Sequence, residues 1–320
     1  MTTGRKLCAT RGAAAGTGRS VLVVGVLLLL LAACGSGGAT GSDEGGGAAT
    51  ETLNDSAAGE SLGPSLSDRD DDGVPDEADP FPDDPTLPGI ALEGVIYMNT
   101  TTQLWTLDVD TYKISQVGYF GWHPTPYHNL MEDIALDAHG VLYGVSPDTL
   151  YTCHPGTVQC YKIADVPIWV YGLTFVPKGL VDPSNEVLMA ITSDGEWRRV
   201  DVSDGKATLT SLGVCGFGGG GNGDAYSIEG IGTFASVDTG WGCSIYELNP
   251  ADGSAVREIC PLPAYKGVFG LAGTGDTAFA FDWNGPIVVI DLEKKQIIHE
   301  MKDQWYPWAG AAVRTEQHGE

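Results

Sequence analysis

Basic residues are scarce in this chain. Seventeen lysines and arginines face 42 aspartates and glutamates over 320 residues, for a formal net charge of −25. Binding nucleic acid by counterion release needs a cationic surface, so that class is excluded. Long apolar runs are missing too. The longest, Val21 to Ala33, has thirteen residues, and a membrane-spanning helix needs about twenty. Long amphipathic helical periodicity is absent. H-E-x-x-H does not occur, and the match to G-x-S-x-G, Gly59-Glu60-Ser61-Leu62-Gly63, lies in a Gly/Ala/Ser-rich stretch rather than on a strand-to-helix turn, so no strong catalytic motif is present. Glycine, at 45 residues, falls far below one in three and shows no G-X-Y period, which excludes a collagen-like chain. What remains is 42% hydrophobic, enough for one sizeable core.

The charge divides the chain. Residues 1–33 hold Arg5, Lys6, Arg11 and Arg19 and no acid, whereas 34–89 hold fourteen acids and one base, Arg69. Basic residues followed by an apolar run ending in small residues read as an export signal over 1–33. Its boundary, Leu31-Ala32-Ala33-Cys34, resembles the bacterial lipobox. The resemblance implies that Cys34 is lipidated and becomes the first mature residue, anchoring the protein to the cell envelope. Gly35 after it, rather than aspartate, implies the outer membrane or cell surface. Residues 34–63 are mostly Gly, Ala, Ser, Thr and acids, with almost no large apolar side chains. Such a segment buries too little surface to order itself, and reads as a disordered, flexible tether.

An acidic segment, 64–89, follows. Asp68, Asp70, Asp72, Asp76 and Asp79 fall at positions 1, 3, 5, 9 and 12 of a loop with Gly73 at position 6. A hard cation such as Ca²⁺ takes six to eight oxygens, and glycine permits the turn that gathers them. Pro75 and Pro80 argue against flanking helices. The pattern resembles the thrombospondin type 3 repeat, which implies a calcium-stiffened stalk.

From about residue 90 the pattern changes to short β-rich runs with regular turn signals. One hairpin phrase recurs. Its turn residues, Asp108, His154, Asp201, Asn249 and Asp291, lie 46, 47, 48 and 42 residues apart. A second phrase precedes most of these hairpins: Glu132–Leu136, Tyr171–Phe175, Ile228–Gly232 and Phe269–Gly273, with a last copy, Trp308–Ala312, at the C-terminal end. The first hairpin has no such phrase before it, so the last strand is expected to complete the first unit. Repeats of about this length resemble a β-propeller. The predicted fold is therefore an all-β propeller over 90–320, five-bladed and closed by the C-terminal strand. Its wording is similar to the YVTN and quinoprotein-like groups and lacks the marks of WD40.

Of the seven cysteines, Cys8 leaves with the signal and Cys34 takes the lipid. Cys153 and Cys160 flank the turn of the second hairpin, and Cys243 and Cys260 flank that of the fourth. Both pairs are candidate disulfides in an oxidising setting, leaving Cys215 odd. Glu132, Asp133 and Glu229 sit on the second phrase and are expected to line the central channel. Trp122 to His128 is an aromatic loop, and Gly216 to Gly221 a glycine-rich loop with no helix after it. Trp169, Tyr171, Phe269, Trp283, Trp305 and Trp308 are expected mostly between blades. The functional expectation is a non-enzymatic binding module for a protein, peptide or glycan. No catalytic residue and no propeller cofactor is assigned. The alternative is a lactonase-like hydrolase holding a metal on Glu132, Asp133 and Glu229.

Overall fold

A computed structural model describes residues 67–123, 130–216 and 223–317. Cys8 and Cys34, the export signal, the tether, the centres of the 122–128 and 216–221 loops, and the first residues of the acidic segment lie outside them. Among the described residues there is no helix; the chain is built of β-strands. These are β1 (Val95–Asn99), β2 (Gln103–Asp108), β3 (Ile114–Tyr119), β4 (Gly121–His123), β5 (Asp133–Leu136), β6 (Leu142–Val145) and β7 (Thr149–Cys153). Next come β8 (Gln159–Asp165), β9 (Val170–Val176), β10 (Val187–Thr192), β11 (Glu196–Ser203), β12 (Lys206–Val214), β13 (Ala225–Ile228) and β14 (Gly232–Asp238). The last are β15 (Cys243–Leu248), β16 (Ala255–Leu262), β17 (Val268–Thr274), β18 (Thr277–Asp282), β19 (Ile287–Asp291), β20 (Gln296–Met301) and β21 (Gly310–Ala312).

The strands form antiparallel four-stranded arrays: β21–β1–β2–β3, β5 to β8, β9 to β12, β13 to β16, and β17 to β20. A single parallel bridge, Lys206 to Asp165, joins the second and third arrays into one larger sheet that β4 also enters. The C-terminal strand does close the first array, with Met98 opposite Ala311. The recurring hairpins are the two outer strands of each array, and the second phrase supplies the inner strand in four of them.

The physical reason for this propeller-like arrangement is burial on both faces. Inner and middle strands are near-continuous apolar runs, such as Val187–Thr192 and Ile287–Asp291. Outer strands such as β3 and β12 are mostly half-buried or exposed, as strands with one face toward solvent are. Core clusters fill the spaces between consecutive arrays. One joins Ile96, Met98 and Leu107 to Phe279, Val289 and Trp308, across the closure. Others join the first array to the second, the second to the third, and so on round the chain. Each large apolar side chain so buried contributes about 1.5–3 kcal/mol. The inner strands complete a circuit: β21 lies against β5, β5 against β9, β9 against β13, β13 against β17, and β17 against β21.

The acidic segment departs from expectation. From residue 67 it is no free stalk but rests on the β-body. Val74 is fully buried. The Phe81 ring meets Tyr161 edge-on at 5.4 Å, Gly89 abuts the His154 ring, and Ala91 N–H donates to the Gly140 carbonyl at 2.8 Å.

Cys153 and Cys160 form a disulfide across β7 and β8, where they are direct register partners. The second expected bridge does not form. Cys243 lies opposite Leu262, and Cys260 opposite Ile245, because the β15–β16 register shifts twice nearer the turn. A diagonal pair in a sheet is about 7–8 Å apart, too far for a disulfide. Cys215, Cys243 and Cys260 are free and buried.

Candidate functional site

Two carboxylates meet where the inner strands converge. Asp133 opens β5 and Asp224 immediately precedes β13; neither is exposed to solvent. They hydrogen-bond each other. Asp133 Oδ1 accepts the Ile134 N–H at 2.8 Å and Oδ2 accepts that of Leu173 on β9 at 2.6 Å. Asp224 Oδ1 accepts the Ala225 N–H at 2.6 Å. Its Oδ2 accepts Leu271 of β17 at 2.7 Å and Ala311 of β21 at 3.3 Å. Every inner strand thus gives one backbone donor to the pair. Burial pushes Asp224 up to about 8, and burial together with its neighbour pushes Asp133 well above the usual carboxylate range. Like charges this close cannot both ionise, so the pair keeps at least one proton at neutral pH. Gly310 makes room for it: a Cβ there would fall 1.8 Å from Asp133 Oδ1 and 2.7 Å from Asn99 Oδ1.

Only one of the three expected channel acids joins this centre. Glu229 is exposed on the turn after β13, some five residues and about 16 Å of strand from Asp224. The third copy of the second phrase, Ile228–Gly232, is therefore out of register. Its inner strand is Ala225–Ile228, and Glu229 to Ile231 form the turn. Asp224, the true partner of Asp133, carries no signal in the sequence except an acid following a glycine run.

Glu132 faces a different space. With Thr101, Leu130, Tyr171, Phe269 and Trp283 it lines a cavity of about 420 Å³ at the starts of the inner strands. Burial raises its pKa, and a hydrogen bond from Trp169 offsets part of that rise. Turns from several arrays reach this same end. Met131 N–H donates to Thr101, Ser193 to Trp169, Cys243 to Tyr265, and Trp283 to Gly267. The loops that carry the exposed tryptophans lie at this end. Trp241 and Trp305 are each 87% exposed, Trp169 45% and Trp283 40%. Of the aromatics expected between blades, Trp308 is buried there, with its indole N–H on the Gly285 carbonyl at 2.9 Å. Trp169, Trp283 and Trp305 stand at the mouth instead, because they lie on the loops that lead into β9, β19 and β21.

In the acidic loop, one carboxylate oxygen from each of Asp68, Asp70 and Asp72 lies within 4.8 Å of the others. Gly73 takes the positive φ, 96°, that turns the chain around them. Asp79 is only 8% exposed, and charge from Asp68, Asp70 and Asp72 reaches it. Its Oδ2 and both Asp70 oxygens are buried without a hydrogen-bond partner. Asp76 departs from the expected set. Its oxygens take the Ser67 hydroxyl at 2.7 Å and the Arg69 backbone N–H at 2.9 Å.

No family model and no curated protein matches the chain. Among solved structures, a protein of unknown function from Bacteroides caccae is similar at a TM-score of 0.41 and 10% identity, over 69% of this chain and 98% of its own. The computationally designed Ika8 protein is similar at a TM-score of 0.35 and 10% identity, over 69% of this chain and 75% of its own. Neither likeness carries a function to this chain.

Proposed function

We propose that the chain is an exported, lipid-anchored β-propeller of five blades that acts as a binding module, taking its ligand at the channel mouth. The closed circuit of inner strands and the core clusters between consecutive arrays support the blade count. The observation that carries the function is an open cavity walled by Tyr171, Phe269 and Trp283, at the end whose loops also carry the exposed Trp169, Trp241 and Trp305. Large exposed aromatic surface marks an interaction site rather than a packing one. Anchoring rests on Cys34 and the export signal, and places the module on the bacterial envelope, facing a protein, peptide or glycan.

The metal-dependent hydrolase reading finds less support. Asp133 spends its oxygens on backbone donors, and Glu229 faces solvent elsewhere.

Calcium belongs to the acidic loop in this reading. Asp68, Asp70, Asp72 and Asp79 would hold it, and its charge would answer buried oxygens that now lack any donor. Because the loop rests on the body, the ion would order that junction as well as the stalk.

The test of the binding reading is a glycan and peptide array probed with the mature chain and with a Trp241→Ala/Trp305→Ala variant. Ligands lost in the variant, at an unchanged urea midpoint, are the expected result. An array without hits, or hits insensitive to the variant, overturns it. Calcium is tested by calorimetry: Asp70→Asn and Asp79→Asn should each weaken binding at least tenfold, and Asp76→Asn only slightly. Absence of binding at millimolar Ca²⁺ refutes the calcium assignment.

A further inference from the structure

The mouth cavity has a chemistry more specific than an aromatic patch. Its walls are the rings of Tyr171, Phe269 and Trp283, and its one charged group among the described lining residues is Glu132; no basic side chain lines it. The aromatic walls stand at angles. Phe269 and Trp283 have ring centroids 5.9 Å apart at 59°, and Tyr171 meets Trp169 at 5.9 Å and 46°. Tilted rings present several π faces to one volume. An organic cation within about 6 Å of such faces is held by their quadrupoles, more strongly as water is excluded. A half-buried carboxylate in the same wall adds a direct charge partner, at an effective dielectric well below that of water.

We propose that the channel mouth is an aromatic–carboxylate cage for a small organic ammonium ion, with Glu132 as its counter-charge. The inference rests on the binding-module reading and names the ligand class of that site. Several features agree. No basic side chain lines the cavity beside Glu132, and burial raises the pKa of this carboxylate, so a bound ammonium would supply the charge partner that the wall itself does not. Trp169 hydrogen-bonds the carboxylate, which fixes its direction without neutralising it. A volume of about 420 Å³ sits within the usual range of small-molecule sites, roughly 300–1,000 Å³.

Choline and its neutral isostere 3,3-dimethyl-1-butanol separate charge from shape. The mature chain is titrated with each, followed by tryptophan fluorescence and calorimetry. Choline should bind at least tenfold more tightly than the isostere. Glu132→Gln should remove that preference while leaving the weak binding of the isostere unchanged. Trp283→Ala should abolish both, and Val256→Ala, exposed on the outer strand β16, neither. Equal binding of the two compounds, or a choline affinity unmoved by Glu132→Gln, overturns the proposal. Array ligands that are neutral and insensitive to Glu132→Gln also overturn it, yet leave the binding module standing. Only loss of all mouth-dependent ligands removes both.

Discussion

Replacing Asp224 with asparagine tests whether the central pair holds the ring of inner strands. The amide keeps the shape and removes one acceptor. Asp224 Oδ1 takes the Ala225 N–H, and Oδ2 takes those of Leu271 and Ala311. In either orientation the new NH₂ group therefore faces at least one backbone N–H. Each buried donor left unsatisfied costs roughly 1–3 kcal/mol, so one or two of them amount to about 2–4 kcal/mol at neutral pH. The second signature is pH dependence. Asp224 is pushed up to about 8 and Asp133 also upward, while an unfolded aspartate titrates near ~3.9. Between those limits the native state holds protons that the unfolded chain has released. Stability then falls as pH rises through the window, by up to about 1.4 kcal/mol per unit for each retained proton, and levels off above it. In the variant, position 224 does not titrate and Asp133 loses its charged neighbour. The gap between the two proteins is thus widest at the acid end and narrows toward pH of about 8. Urea unfolding of the mature chain, followed by tryptophan fluorescence in steps from about pH 4 to about pH 9, reads this directly at constant m. A variant within about 0.5 kcal/mol of the parent at neutral pH, or a gap that widens with pH, refutes the reasoning.

Gly310→Ala should be more severe than Asp224→Asn, because its Cβ would fall 1.8 Å from Asp133 Oδ1; a native near-ultraviolet spectrum and an unshifted melt would show that the strands do not approach this closely. Loss of the Cys153–Cys160 bridge, which closes a short loop with a separation of 7, should cost about 2.5 kcal/mol by loop-closure entropy, read as a lower urea midpoint in a Cys153→Ala/Cys160→Ala variant. Val74→Ala removes fully buried methyl groups and should loosen the acidic segment by about 2 kcal/mol. Limited proteolysis should then cut within 67–89 faster than in the parent, with the β-body intact; equal cutting rates would show that Val74 does not hold the segment down.

How legible this was in the sequence depended on how local the signal is. The hairpin phrase, with aspartate or asparagine at most strand ends, was readable because turn chemistry is a property of a few adjacent residues. It placed β2–β3, β7–β8, β11–β12, β15–β16 and β19–β20 correctly. It also revealed, by the missing first copy, that the C-terminal strand belongs to the first array. The Cys153–Cys160 pair followed because its turn is short and its register simple. The Cys243–Cys260 pair failed because two register shifts inside one hairpin leave no mark in residue spacing. The inner strands were harder. They are three to seven residues long and largely buried along their length, so neither period nor polarity fixes their ends. Sliding the fourth one by a few residues exchanged Asp224 for Glu229. The docking of the acidic segment was invisible for another reason: it depends on Phe81 reaching Tyr161, 80 residues away.

Glu132 and Asp133 show how strand geometry divides one apparent site into two. The residues are adjacent, and both are carboxylates that burial pushes upward. Adjacent side chains in a strand point to opposite sides. Asp133 turns into the centre, where its oxygens and those of Asp224 take one N–H from each inner strand. To act on a substrate as an acid or base, that pair would have to release these donors, and five strands would lose their common anchor. Its proton is therefore part of the fold. Glu132 turns outward into the aromatic cavity, with only an indole N–H against it, and can meet a ligand without disturbing the ring. The same two positions on which a sequence reading places one metal site thus separate a structural acid from a recognition acid. Asp133→Asn should lower stability at an unchanged choline preference in the protein that remains folded, and Glu132→Gln should do the reverse. The same response from both variants would show that the two carboxylates form one site.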